Sequence, residues 1–450
     1  MSVGEDMVAV CVPSASSWRE RLAGLSVNRS AHVKKLLGGS LIMLIGSVFV
    51  SLANFGYNIG VARLLGPADF SHAAAAVTIL MIISAITLAF QLVCTKLVAK
   101  SGSVEAQAAV FQHLHKRSWW VGAGLGASMI LASGVLSSYL RLSSPWVIIL
   151  LAIGLTVYIP LGVKRGGLQG TCRFRGLSWN MAAEAVVKFV AAIVLIEMGF
   201  GVLGAVAAIS GSVIFAYFLP DAAKELRRTA VSSGDALHLG ETVQAIVFFV
   251  GQVIISNIDI LMVKHYFPPD LAGLYAAIAL VGRLLYFGAW SIVSAMFPVS
   301  AGTSEERQAP ALLALPLLMV TGMSAAFVLL LAAFPQLVFR SLFGAHFVTA
   351  GVQGLNWLLS MNAAATGIYA ISVVLITYEM SRRIANTGWL QLVVSGLIVL
   401  GITWFHSTLM EVIVVQEVLR ILLLCAVSYP FVRSWATAGR RLHEEVAPSH

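Results

Sequence analysis

ARLLGPADF at Ala62–Phe70 returns as VKHYFPPDL at Val263–Leu271, 201 positions further on. In each copy a cation (Arg63, Lys264) precedes a proline by four residues (Pro67, Pro268) and an aspartate by six (Asp69, Asp270). Each copy lies between two long apolar runs, and the register holds without a gap from Leu41–Leu97 to Thr242–Pro298. A gapless repeat of this length in an apolar chain points to a duplicated membrane bundle whose halves can rock against each other.

Working outward, the composition fits no soluble domain. Hydrophobic residues are 59% of the chain and charged ones 11%, against about 25% charged in soluble proteins. A bilayer crossing takes about 20 apolar residues. About twelve windows qualify, near 36–60, 72–95, 119–137, 145–163, 177–197, 200–219, 242–264, 271–297, 310–332, 352–377, 384–404 and 410–431. The net charge of +9 is a matter of topology. Lys and Arg gather in alternate connections, such as Arg19–Lys35, Lys96–Arg117, Lys164–Arg175, Lys224–Arg228, Arg382–Arg383 and Arg433–Arg441. The intervening ones hold only Arg63, Arg141, Lys264 and Arg340. That bias places the basic loops and both termini in the cytoplasm and argues against a nucleic-acid partner. No cleavable signal is expected, since Glu5 and Asp6 stand where a basic region belongs and Met7–Pro13 is a short apolar run. Cys11, Cys94, Cys172 and Cys425 suit reduced thiols, with no metal spacing.

Six crossings per half give both halves the same orientation, related by a pseudo-two-fold axis along the membrane normal. The expected division is a tail at 1–35, a six-helix lobe at 36–220, a polar linker at 221–240, a second lobe at 241–432 and a tail at 433–450. The longest inner connection, Val98–Ser118, could hold a surface helix over 104–116. Polar residues recur at helical spacing inside several spans: Ser47, Ser51, Asn54 and Asn58 in the first, and Gln244, Gln252, Ser256 and Asp259 in the seventh. Asn180, Glu184 and Lys188 mark the fifth, and Asn362, Thr366 and Tyr369 the tenth. Such stripes face either a polar cavity or a neighbouring helix that they bind by hydrogen bonds. Asn58 and Asp259 are repeat-equivalent.

With the ARLLGPADFS turn, the Leu271–Tyr275 start and Phe297–Ala301 end of the eighth span, and RSLFGAHF at Arg340–Phe347 in view, the chain resembles bacterial polysaccharide flippases. These form the O-antigen and exopolysaccharide branch of the multidrug/oligosaccharidyl-lipid/polysaccharide exporter superfamily. The resemblance implies two six-helix lobes around a central cavity in the bacterial inner membrane. It also implies movement of a polyprenyl-pyrophosphate-linked oligosaccharide to the outer leaflet by alternating access. The implied partners are that lipid-linked substrate, membrane lipid, a polysaccharide polymerase and glycosyltransferases, and no cofactor is called for.

The charged residues inside the spans are the candidates for binding. Arg283 lies near the midplane of the eighth span with no acid within one turn, so its compensating anion comes from another helix or from the substrate. A guanidinium can grip phosphate oxygens through two parallel hydrogen bonds. Lys188 either pairs with Glu184, one turn away, or meets pyrophosphate while Glu184 takes the coupling proton. Asn54, Asn58, Gln252 and Ser256 complete the expected substrate surface. Asp259 either binds a coupling cation or caps a helix end. Arg63 and Lys264 stand at the outer mouth, as topological anchors or as aids to release. Glu417 and Arg420, at i and i+3, pair most simply with each other. Gly199–Gly204 fits GxGxxG but follows a helix and lacks a strand, so it is no dinucleotide site. Gly122 and Gly126 fit close helix packing, and His113 and His115 a solvated basic segment. The rival readings are a small-molecule exporter of the multidrug and toxic compound extrusion branch, an enzyme such as a polymerase or ligase, and a non-transporting scaffold. Multidrug export favours buried acids over midplane cations, and an enzyme needs sizeable outer loops that are absent here.

Overall fold

In the computed structural model, residues 25–219, 240–302, 309–344, 347, 354–382 and 387–446 are described. Residues 221–239 of the expected linker, 1–24 of the first tail and 447–450 of the second lie outside them. No strand occurs among the described residues. In chain order the α-helices are α1 (Leu25–Lys100), α2 (Val104–Leu131), α3 (Ser133–Tyr139), α4 (Trp146–Gly170), α5 (Phe174–Leu195), α6 (Gly201–Phe218) and α7 (Gly240–Ile255). They continue as α8 (Ile258–Tyr266), α9 (Pro269–Gly302), α10 (Ala309–Ala333), α11 (Pro335–Phe343), α12 (Leu355–Arg382), α13 (Leu390–Trp404) and α14 (Leu409–Val446). The protein is all-α and polytopic, with about twelve crossings in two six-helix lobes.

The doubled crossings come from glycine breaks. Ile45–Lys100 and Phe174–Phe218 run 56 and 45 residues, each more than twice the ~20 that one crossing needs. Within α1, Gly66 takes φ 75°, ψ 177° and Pro67 opens the second arm, so the repeated turn is, in its first copy, a two-residue corner. A π-helical turn, Ile196–Phe200, joins α5 to α6, with φ 92° at Gly199 and 51° at Gly201. The GxGxxG match is this corner.

Close approach of small residues sets the packing of the first half. Hypothetical Cβ atoms on Gly162, Gly166 and Gly170 of α4 would lie 2.7, 2.5 and 2.8 Å from the carbonyl oxygens of Thr87, Gln91 and Thr95. Both series step by four, so two helices interlock turn for turn. Gly122 and Gly126 bring α2 equally close to Thr156 of α4. Gly166→Val is expected to lower the thermal midpoint in detergent, with an overpacking cost of about 1–3 kcal/mol. An unchanged midpoint would refute this packing account.

Several boundaries differ from the sequence reading. The surface helix at 104–116 and the third span are one helix, α2, which bends by 62° into α3. His115 stacks between Phe111 and Tyr217 and is not a solvated group. The seventh span is broken: α7 ends at Ile255 and α8 begins at Ile258. Lys164 and Arg165, read as loop cations, are buried inside α4. The helix continues through them because both are satisfied. Lys164 Nζ donates to the carbonyls of Tyr217 and Leu219 at 2.7 and 2.8 Å, closing the end of α6, and Arg165 pairs with Glu184. Cys94 and Cys425 are free thiols, whereas Cys172, in the turn before α5, is disulfide-bonded. The expectation of reduced thiols therefore holds for Cys94 and Cys425 and not for Cys172.

Candidate transport site

The break in the seventh span builds the site. Ser256 and Asn257 leave the helix, which frees carbonyls at the end of α7 within the membrane-crossing stretch. Backbone groups freed at such depth must find other partners. Asn257 supplies one, donating from Nδ2 to Val253 O at 2.6 Å. Its Oδ1 in turn accepts from Arg283 Nη2 at 2.7 Å. Arg283 stands on α9 about 20 Å along the axis from Pro269. Its Nη1 lies 3.7 Å from Met81 Sδ in the second arm of α1, so this guanidinium touches both halves.

A second guanidinium completes the arrangement. Arg420 of α14, 6% exposed, donates to Gln416 Oε1 at 3.0 Å and approaches Ile255 O, the last carbonyl of α7, at 3.5 Å. It also lies 5.7 Å from the centroid of the Tyr369 ring. The expected Glu417–Arg420 pair does not form. Arg420 turns inward to the broken helix, where acceptors are free, and Glu417 stays half-buried on the adjoining face of α14. Gln416 Nε2 donates to Tyr275 OH at 2.6 Å, and Tyr275 OH donates to Asp259 Oδ2 at 2.6 Å. The other carboxylate oxygen, Asp259 Oδ1, and Arg420 Nε are buried without a hydrogen-bond partner.

These groups surround a cavity of about 140 Å³ that Gln252, Ser256, Asn257, Asp259, Arg283 and Arg420 line. Tyr286, Asn362, Thr366 and Tyr369 complete its polar wall, and Met81 is the residue that the first half contributes. Gln252 Nε2 donates to Tyr286 OH. The cavity thus holds two guanidinium groups and one carboxylate. Neither arginine is within 4 Å of an acid, since the one ion pair between described residues is Arg165–Glu184.

The first-span stripe does not line this cavity. Asn54 Oδ1 accepts from Lys188 Nζ, Asn58 Nδ2 bonds back to Asn54 O at 2.8 Å, and the Lys188 ammonium lies 5.3 Å from the Tyr57 ring centroid. Lys188 does not pair with Glu184 as the i, i+4 spacing suggested. Arg165 of α4, which also bonds Asn180 Oδ1 at 2.9 Å, takes that carboxylate. A planar guanidinium reaches the Asn180 and Glu184 oxygens together, which an ammonium on the same helix cannot do. Lys188 is therefore left with neutral partners.

On the face that carries the Gly66 corner, Arg63 and Lys264 are both engaged with protein. Arg63 Nε donates to Leu342 O at 2.6 Å and Nη2 to Ser341 O. Lys264, 2% exposed, donates to Ser71 Oγ at 2.6 Å.

No protein-family model matches the chain, and no curated protein matches it. Solved structures do. An inward-facing multidrug resistance MATE family transporter of the MOP superfamily superposes with a TM-score of 0.66 at 14% identity, over 89% of this chain and 96% of that one. The chain has the fold of the MATE transporters. An outward-facing conformation of such a transporter gives 0.62 at 16% identity, over 90% and 96%. The MATE multidrug transporter DinF-BH, solved as a complex, gives 0.61 at 16% identity, over 92% and 98%. The agreement spans nearly the full length of each chain, so both lobes match and not merely one bundle.

Sequence reasoning had named Arg283, Gln252, Ser256 and Asp259, which meet in one cavity. It had Arg420 paired with Glu417, and it missed the polar roles of Asn257, Tyr275 and Gln416. The available signal was Gln416 and Arg420 at i, i+4, a polar pair on one face of an apolar helix.

Proposed function

We propose that this protein is an alternating-access exporter for an anionic lipid-linked substrate, a polyprenyl-pyrophosphate oligosaccharide, carried from the cytoplasmic to the outer leaflet. The observation that carries the reading is the pair of guanidiniums, Arg283 and Arg420, facing a single carboxylate beside a broken helix. An uncompensated pyrophosphate is costly to move through hydrocarbon. Arginines held by neutral partners offer it charge-assisted hydrogen bonds without first breaking an ion pair. Lys188, held by Asn54 and Tyr57, supplies a further cation in the other half. The Arg-rich face is then cytoplasmic and the Gly66 face outer.

The fold itself favours a second reading, a small-molecule exporter like the multidrug transporters that superpose on the chain. The charge of the transported molecule distinguishes them. Purified protein in liposomes is expected to translocate a fluorescent polyprenyl-pyrophosphate glycan and to leave a cationic dye untransported. Dye transport without glycan transport would establish the multidrug reading instead.

A further inference from the structure

The hydrogen bonds between described residues that cross from one half to the other cluster on the Gly66 face, apart from the Arg283–Met81 contact at mid-span. Three of them start from the repeat-equivalent cations, two from Arg63 and one from Lys264, and the two residues reach in opposite directions. Arg63 of the first half closes the carbonyl end of α11 in the second half. The last carbonyls of any helix lack partners within it, and Gly344, at φ 85°, stops α11 there. Lys264 of the second half reaches Ser71 at the start of the second arm of α1. The neighbouring His265 stacks on Tyr139 of α3 with centroids 3.9 Å apart, and His265 Nδ1 lies 2.6 Å from Tyr139 O.

Between these bonds the two backbones nearly touch. A Cβ on Gly273 of α9 would fall 1.8 Å from Pro67 O, closer than any side chain tolerates. Phe70 packs edge-on against Phe347, with centroids 6.0 Å apart, and so extends the seam beneath α11. This face is closed by direct backbone contact at Gly273 and Pro67, in the turn whose cations Arg63 and Lys264 bond across to the other half.

We propose that Arg63 and Lys264 are reciprocal latches that hold the Gly66 face shut, with Gly273 as the contact point on which the halves close. The duplicated turn places one cation on each half, so each half grips the other, Arg63 through two backbone carbonyls and Lys264 through a buried hydroxyl. Lys264 is buried against a hydroxyl with no carboxylate in ion-pair contact, so water entering the seam solvates the ammonium and offsets loss of the bond. The latch thus releases when the face opens. Arg63, on an exposed rim, loses only its hold on α11.

The proposal rests on the alternating-access reading but makes no use of the substrate, and its test reads conformation alone. Spin labels at Val135 and Leu337, exposed positions on either side of the seam, would report their separation in a background with the four native cysteines replaced by alanine. Arg63→Ala and Lys264→Ala are each expected to raise the ratio of long to short distances about tenfold, the worth of one charge-assisted hydrogen bond. The double variant should raise it further. Gly273→Ala removes no charge and should open the seam in the same direction by wedging it. If an alanine variant fails to fold, Arg63→Gln and Lys264→Gln carry the same reading. Unchanged distances in the folded variants, with or without a lower thermal midpoint, would make both cations simple caps and overturn the latch. Glycan and dye transport, measured separately, would leave the exporter reading standing or fallen by itself.

Discussion

Arg283→Ala is expected to abolish glycan flipping while leaving a folded, inserted protein. The structural cost is bounded by what Arg283 touches. Its hydrogen-bond partner is the neutral Asn257 Oδ1, so the substitution orphans one buried acceptor, at about 1–3 kcal/mol. No carboxylate in ion-pair contact is left behind. The functional loss is larger, because a guanidinium–phosphate fork of two charge-assisted bonds is forfeited, roughly a 100-fold or greater fall in transport. Arg283→Lys should keep part of the activity, since an ammonium preserves the charge but not the fork. Arg420→Ala is expected to lower transport too, with a greater loss of stability, because Arg420 serves the end of the broken helix. The measurements are thermal unfolding in detergent and flipping in liposomes, made on the same preparations. An Arg283→Ala protein that is stable and flips normally would sink the role given to this residue.

Much of the fold was legible because lipid imposes simple rules. Apolar runs of about 20 residues, glycine–proline corners and alternating basic loops depend on local composition, and the 201-residue repeat needed only the sequence compared with itself. What escaped was the depth of charged groups. Lys164 and Arg165 looked like loop residues because isolated charges end an apolar window, yet α4 carries them inward to partners on α5 and α6. Spacing also suggested two pairs that do not form, Glu184–Lys188, one of two readings left open, and Glu417–Arg420. An i, i+3 or i, i+4 pair is only possible in a lone helix, and within a bundle an acceptor on a neighbouring helix can take the donor. The break at Ser256–Asn257 was hidden for a related reason. Neither glycine nor proline marks it, and the bonds that make it tolerable come from Arg283 and Arg420, 26 and 163 residues beyond Asn257.

Glu184→Gln is expected to be among the most destabilising single changes in the first half, with no direct contact to the proposed substrate cavity. Arg165 is buried and donates to Glu184 from α4 across to α5, with Asn180 Oδ1 as its second acceptor. Asn180 Nδ2 in turn donates to Ala216 O at 2.7 Å, which ties α6 to the same group. Removing the carboxylate charge leaves the buried Arg165 with neutral acceptors only, at a cost approaching the ~3–5 kcal/mol of an orphaned buried charge. Arg165→Met alone should cost less, because Glu184 retains some exposure and can draw the nearby Lys188 ammonium from Asn54. The double variant Arg165→Met/Glu184→Leu removes both charges and should recover most of the loss, as apolar replacements of buried pairs often do. Thermal unfolding of the three variants and the parent closes the cycle. If Glu184 carried the coupling proton instead, Glu184→Gln would leave stability nearly unchanged and transport would lose its dependence on the proton gradient. Recovery of stability in the double variant, with transport retained, would assign this pair to the scaffold of the first lobe.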